Sequence, residues 1–414
     1  MSTTVRSLPR TTGWISQNSR FGTRPSSMRI TVIGAGAIGS AIAFDLTRRP
    51  DVTRVRVCEA RPGVLRRIRE ALPGDKTRCY QVDARDAQTL DNIVANSDVV
   101  ISCVAPELNP MLAELSIRNG AHFCELGGNE TIAQQLLALN EEAQNRARWV
   151  VPNCGLAPGL SNILTMRGIE FFDEVDSAVI RGGDVPVNPE PPFNYRLAHS
   201  ADKLLSDYTH PATIIRDGHL THVEPLSDIE RVEFPEPFGE LEAFYTSGML
   251  STLPQDLQGR VRTLDAKLLR YPGHADAMRV LVGLGFAEDR SIDVRTHLTY
   301  RDVLTRQIRK RLGGTYEDAV LLRIKITGRQ GDAWKRLTYE MVARYDEHTD
   351  LSAMRRCTAF ATATIATLIA QGAVPKEGGA APPERLIPKD RFFEDLERRG
   401  LHVETHWEDI APPR

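Results

Sequence analysis

From Met28 onward, short runs of alternating or continuous apolar residues take turns with stretches whose apolar positions recur every three to four residues. RITVI (29–33), RVRVC (54–58), residues 79–82, SDVVIS (97–102), AHFCE (121–125) and RWVVP (148–152) read as strands. Residues 38–48, 63–71, 86–95, 109–118 and 131–146 between them read as helices. A period that switches repeatedly from 2 to 3.6 is the mark of a parallel sheet with helices on both faces. After NCGLAPG (153–159) the texture changes to longer, more polar strands, DSAVIRGGD (176–184), VLLRIKITG (320–328) and KRLTYEMVARYD (335–346), which suit a mostly antiparallel sheet. The fold class expected is therefore α/β, a Rossmann doubly wound parallel sheet plus a second α+β domain. The divisions expected are 1–27 as a leader or tail, 28–153 as the dinucleotide-binding domain, 154–350 as the substrate and oligomerisation domain, and 351–414 as a helical segment returning to the first. The longest apolar run, Thr358 to Ala370, is too short for a membrane span of roughly 20 residues and reads as a buried helix.

Composition narrows the function classes. Hydrophobic residues make up 41% and charged residues 26% of 414, with a net charge of -2, so no basic stripe stands ready for nucleic acid. Six cysteines without CxxC pairing suggest neither a zinc site nor a disulfide framework, and a reducing cytoplasm fits them. His199, His210, His219, His222 and His297 lack metal-ligand spacing, so no metal is expected. Residues 1–27 hold Arg6, Arg10, Arg20 and Arg24, many Ser and Thr, and no acid. That composition is shared by a disordered tail, an upstream start before Met28 and an organellar transit peptide. It is left out of the fold.

The chemistry begins at Gly34, Gly36 and Gly39, a GxGxxG run directly after a strand and at the mouth of a helix. The first glycine allows the tight turn, the second lets backbone approach a pyrophosphate, and the third lets helix and strand pack closely. With Ala37 and Ile38 they offer free N–H groups to the phosphates of a dinucleotide. Glu59, about twenty residues on, ends the second strand where a carboxylate binds the ribose hydroxyls, which argues for NAD. Arg61 is placed to grip a 2′-phosphate, so NADP is the alternative. Asp83 is a candidate for the adenine, and Cys103, Val104 and Gly127, at the carboxyl edge of the sheet, are expected to border the nicotinamide.

Five further segments follow in order: NCGLAPGLSNIL (153–164), GGDVPVNPEPPFNY (182–195), SDYTHPATIIRDG (206–218), FGELEAFYTSGMLSTL (238–253) and LRYPGHADAMRVLVGLG (269–285), with PPERLIPKDRFFEDLERRGL (382–401) near the end. Together they resemble the saccharopine dehydrogenase family, and most closely its lysine 6-dehydrogenase branch. The resemblance spans Met28 to Leu401. It implies NAD-dependent oxidative deamination at the ε-carbon of an amino-acid substrate, with loss of ammonia and cyclisation of the semialdehyde. The alternative within the family is a secondary-amine oxidoreductase of the saccharopine reductase or carboxynorspermidine dehydrogenase type. A non-catalytic NAD(H)-binding protein is the reading from another class.

An ammonium has no lone pair with which to expel hydride, so the site needs a base that keeps the reacting amine neutral. His274 is the first candidate, because its unperturbed pKa lies nearest the working range, with Tyr245 and Glu242 as rivals. The branch tends to have His where this chain has Tyr245. Arg270 suits a substrate carboxylate, Tyr195, Thr246 and Ser247 offer hydroxyls, and Glu125 suits an ammonium. Saccharopine brings extra carboxylates and calls for several cations, whereas lysine calls for one clamp and an acid. Long paired strands such as 320–328 and 335–346 suggest a homodimer or homotetramer.

Overall fold

The computed structural model describes residues 27–198, 200–314 and 316–413, so most of the leader, and His199, lie outside the described residues. The first sheet takes strands β1 (Met28–Ile33), β2 (Val52–Glu59), β3 (Thr77–Gln81), β4 (Val99–Ser102), β5 (His122–Glu125) and β6 (Trp149–Val151). Helices α1 (Ala37–Arg48), α2 (Pro62–Ala71), α3 (Ala87–Val94), α4 (Asn109–Arg118), α5 (Glu130–Leu137) and α6 (Asn140–Asn145) alternate with them. The stretch expected as one helix over 131–146 is broken, and Asn140 there turns its side-chain oxygen to the amide of Ala380, 2.9 Å away.

The second half holds α7 (Leu160–Ile169), β7 (Glu174–Pro186), α8 (Ala201–Asp207), β8 (Ala212–Arg216), β9 (His219–Val223), β10 (Glu230–Phe234), β11 (Gly239–Phe244), α9 (Leu253–Leu257), β12 (Val261–Arg270), α10 (His274–Gly283), α11 (Tyr300–Leu312), β13 (Asp318–Gln330) and β14 (Ala333–Arg344). The tail adds α12 (Ala353–Ala370), β15 (Gly379–Ala380), α13 (Pro383–Leu386), α14 (Lys389–Glu397) and β16 (Glu404–Asp409).

Hydrogen bonding orders the first sheet β15-β6-β5-β4-β1-β2-β3, every pair parallel. The strand order turns at β1 and β4, and at that switch the loops after the strands open a crevice. The second sheet runs β10-β11-β12-β7-β13-β14-β16, with β8 and β9 branching from β12. It is antiparallel except for the β12–β7 pair.

The tail does more than return to the first domain. Helix α12, Ala- and Thr-rich and buried along nearly its whole length, packs on α1, and β15 extends the first sheet beside β6. Strand β16, however, pairs antiparallel with β14 on the far sheet. Its side chains are all exposed, so no buried-face alternation marks it in the sequence. A ladder of charge fixes α12 and α14 to α1: Arg49 bonds Asp45 and Asp395, and Arg399 bonds the same two carboxylates. None of the helices among the described residues is long and apolar enough to cross a membrane.

Candidate active site

One cavity of about 730 Å³ opens between the two sheets, and most of the chemistry lies along it. Its Rossmann end is built by the first βα turn. Gly34 has a φ of 91°, and a Cβ there would meet the Cys103 carbonyl oxygen at 2.7 Å. A Cβ on Gly39 would fall 1.9 Å from the Gly34 oxygen, whereas one on Gly36 would meet nothing within 4 Å. The turn is thus closed on its inner side and open where Gly36, Ala37, Ile38 and Gly39 line the cavity. No side chain caps the start of α1, so its N–H groups are left to an anion. This cradle fits the pyrophosphate of a dinucleotide.

Glu59 ends β2 beside the turn. Its carboxylate accepts from the Ala35 amide at 3.0 Å and the Arg61 amide at 3.0 Å, and from the Arg61 guanidinium at 2.9 and 3.1 Å. Burial alone would raise its pKa, but Arg61 and the two amides outweigh that and hold the carboxyl down to about 2. Asp83 lies exposed, pairs with Arg85 and does not line the cavity. Cys103, Val104 and Gly127 do line it, and burial pushes the Cys103 thiol up.

Beyond them Glu125 reaches the cavity wall from the end of β5 while itself only 5% exposed. One oxygen accepts from the Asn153 amide at 2.7 Å; the other accepts from the Gly127 amide at 2.8 Å and from Asn109 Nδ2 at 3.2 Å. Ser102 in turn donates to Asn109 Oδ1 at 2.6 Å. Burial raises the Glu125 pKa against the opposing pull of the two amides.

The far end carries pairs of opposite charge. Arg270, at the end of β12, donates Nη1 to the backbone oxygen of Asp184 at 2.8 Å and lies 3.3 Å from its carboxylate. Asp184 comes from β7 behind Gly182 and Gly183, and a Cβ on Gly183 would meet the Leu269 oxygen at 2.5 Å. Lys203 of α8 bonds Asp207 and runs through a slot between Gly128 and Gly248. Thr246 and Ser247 line the same end. Arg355, in the first turn of α12, completes it, and among the described residues its guanidinium has no hydrogen bond or ion pair. Four cations therefore face the cavity, and Arg61, Lys203 and Arg270 each have an acid beside them.

The three residues expected to handle the proton are elsewhere. His274 is 2% exposed, seated among Phe193, Tyr195, Tyr208 and Phe244, and does not line the cavity. Burial first, and then the Arg270 charge, push its pKa down to about 3. An imidazole so held stays neutral at working pH, which does not suit the acid–base role expected of it. Glu242 instead accepts the amides of Gly273 at 2.9 Å and Ala275 at 2.7 Å. Tyr245 donates to Asp265 at 3.1 Å on the other face of β12, where Lys267 is bonded to Asp228 and Glu230. Side chains alternate along a strand, so Leu268 and Arg270 face the cavity while Asp265 and Lys267 face away. Tyr195 lies under the Arg270 guanidinium, whose carbon is 4.4 Å from the ring centre. Sequence reading missed Asp184, Lys203, Asp207 and Arg355; only Asp184 carried a signal, the GGD that ends a strand.

Comparison with known proteins fits this architecture. Residues 30–151 match the saccharopine dehydrogenase NADP binding domain and residues 155–401 the saccharopine dehydrogenase C-terminal domain. Saccharopine dehydrogenase [NADP(+), L-glutamate-forming] of Saccharomyces cerevisiae is 22% identical over 280 residues, 64% of this chain and 60% of that protein. Mitochondrial alpha-aminoadipic semialdehyde synthase of Bos taurus is 26% identical over 210 residues, 49% of this chain and only 22% of that protein. Among solved structures, apo saccharopine dehydrogenase (L-Glu forming) from Saccharomyces cerevisiae superposes with a TM-score of 0.75 at 17% identity, covering 93% of this chain and all (100%) of that one. Homospermidine synthase from Legionella pneumophila in complex with NAD gives 0.66 at 13% identity, covering 93% and 92%. The chain binds a nicotinamide cofactor. It belongs to the saccharopine dehydrogenase family.

Proposed function

We propose that the protein oxidatively deaminates the ε-amino group of L-lysine, with NAD as the preferred cofactor, to give 2-aminoadipate 6-semialdehyde and ammonia. The observation that carries this reading is the charge inventory of the cavity: one uncommitted guanidinium, Arg355, beside pairs that are already neutralised. A single α-carboxylate matches Arg355, which can hold it in a bidentate clamp. The α-ammonium suits Asp184, the acid of the Arg270 pair. A substrate with several carboxylates would meet acids at Lys203 and Arg270, and desolvating them there is unfavourable.

The nicotinamide, when bound, supplies the two-electron acceptor. Gly36, Ala37, Ile38 and Gly39 would hold the dinucleotide's pyrophosphate, Glu59 its adenosine ribose, and Cys103, Val104 and Gly127 would border the nicotinamide. Glu125, buried and fixed by three donors, is the acid–base candidate that lines this end, and it replaces His274 in that role. A raised carboxyl pKa suits a group that takes a proton from the substrate ammonium and leaves the amine neutral. Loss of the C6 hydrogen with its electron pair then gives the iminium, water adds to that carbon, and the C–N bond breaks to release ammonia. Thr246 and Ser247 offer hydroxyls along the same wall.

The test is the absorbance of reduced nicotinamide with purified protein, each cofactor, and L-lysine, ornithine and saccharopine in turn. Lysine-dependent reduction of NAD is expected, with Arg355→Gln raising the lysine KM at least about tenfold while kcat stays within about threefold. Turnover of saccharopine with silence on lysine would overturn the assignment. That second reading is favoured by the names of the relatives and by the likeness to homospermidine synthase.

A further inference from the structure

His274 does not line the cavity, yet its surroundings define which nitrogen carries the proton. Nδ1 lies 3.1 Å from the carbonyl oxygen of Phe193. A carbonyl only accepts, so in the neutral ring Nδ1 carries the hydrogen and Nε2 is a bare acceptor. The Tyr208 hydroxyl, 3.0 Å from Nε2, must then donate to it. Arg270 acts on the Tyr208 hydroxyl through its charge, and Tyr195 joins the two by packing, its ring centre 5.2 Å from that of the imidazole and 4.4 Å from the Arg270 guanidinium carbon. Arg270 closes the chain on Asp184, with Tyr195 stacked beneath it. Each bond direction follows from the first.

The turn that seats the imidazole is itself fixed. Gly273 has a φ of 92°, a conformation that favours glycine, and the Glu242 carboxylate ties down the amides on both sides of His274. We propose that His274 and Tyr208 are positioning residues, a relay from α10 and the end of α8 that fixes the Arg270–Asp184 pair against the cavity to receive the amino-acid head of the substrate. The relay rests on the reading of Asp184 as the seat of the α-ammonium. Its chemistry requires a histidine that does not titrate. The groups that face the ring are Phe193 and Tyr195 from the segment after β7, Tyr208 just after α8, Phe244 from β11 and Arg270 from β12, with Asp184 behind Arg270. A second cation next to Arg270 is disfavoured in that setting, in line with the depressed pKa of His274.

The experiment compares the full chain with His274→Leu, His274→Gln and Tyr208→Phe by steady-state kinetics on L-lysine from pH 6 to 10, with thermal melting of each. Losing one directed hydrogen bond is expected to raise KM about tenfold in His274→Leu and Tyr208→Phe, with kcat within about threefold and both limbs of the pH profile unmoved. His274→Gln, whose amide oxygen can accept from Tyr208, is expected to recover most of the loss. A drop in kcat of about a hundredfold with loss of one pH limb would make His274 the acid–base group and overturn the relay. An unchanged KM in folded His274→Leu and Tyr208→Phe would overturn it too. Should the wild type be inert towards every amine, the substrate reading fails, and the relay is judged by nitrogen-15 NMR of the wild type and Tyr208→Phe. A neutral Nδ1–H tautomer from pH 5 to 8, with the Nε2 resonance shifted by Tyr208→Phe, supports it. An imidazolium, or an Nε2–H tautomer, overturns it.

Discussion

Glu59 holds Arg61 by two guanidinium bonds and one amide bond, and at the same time ties the first turn of the Rossmann domain through Ala35. On the proposed reading, the carboxylate that would repel a 2′-phosphate therefore also restrains the guanidinium that would welcome it. Glu59→Ala removes both effects. We expect the ratio of kcat/KM for NADP over NAD to rise at least about tenfold, since the favoured ribose contact is lost and a phosphate partner is freed. Parallel cofactor titrations check this, and an unchanged ratio would place the adenosine ribose away from Arg61. Residues of this kind were legible in the sequence because the fingerprint ties them to fixed offsets along one βαβ unit. Asp184, Lys203 and Arg355 were not, because they converge from β7, α8 and α12, far apart in the chain. Strand alternation does separate Lys267 from Arg270, which lie on opposite faces of β12. His274 was legible as a special position, but its role was not, because the aromatic shell that buries it comes from three separate segments.

The two glycines that flank the start of α1 separate binding from folding. At Gly36 a methyl group enters open space on the cavity side, and no local clash opposes it. At Gly39 the same methyl meets the Gly34 backbone oxygen, which cannot swing aside as a side chain can. Gly36→Ala is expected to keep its melting temperature and weaken dinucleotide binding about tenfold or more, by keeping the pyrophosphate from the helix N-terminus. Gly39→Ala is expected to lose on the order of 3 kcal/mol of stability, the upper part of the range for overpacking. Calorimetric titration with NAD alongside denaturant unfolding reads both, and equal loss of stability in the two variants would defeat the distinction. At this scale periodicity located six of the seven strands of the first sheet, all but β15, and the buried helix of the tail. It failed for β16, whose exposed, heavily charged residues gain their strand from pairing with β14 rather than from a buried face. It also failed at the break between α5 and α6, where a contact to β15 intervenes from more than 200 residues away, as Asn140 and Ala380 are 240 apart.

Across the whole molecule the sheets share one apolar core, which runs from Ile30 and Val57 through Leu160 and Ile365 to Ile324 and Leu337. Such continuity predicts that the two halves unfold together, and that a titration deep in either half is felt by the entire fold. Two histidines, the buried His274 and the half-buried His122, have pKa values depressed by burial first, and then by Arg270 and Arg148 respectively, to about 3 and about 4. As pH falls below the ordinary value of 6.5, the unfolded chain gains protons on these rings that the folded chain does not. Each therefore lowers stability on acidification, by at most about 1.4 kcal/mol per pH unit, until the pH reaches its folded pKa. Glu125, Asp318 and Glu384 act in the opposite sense, since burial raises their pKa and the folded state protonates first. The wild-type slope alone therefore mixes two signs, and the difference between variant and wild type isolates one ring. Urea unfolding at pH 7 and pH 5 is expected to show a smaller acid loss in His274→Gln than in the wild type, by up to about 2 kcal/mol. Fluorescence and circular dichroism midpoints should coincide at both pH values. An equal acid loss in variant and wild type would mean that the His274 ring takes up its proton in the folded protein at ordinary pH, and the fixed direction of its hydrogen bonds would be lost with it.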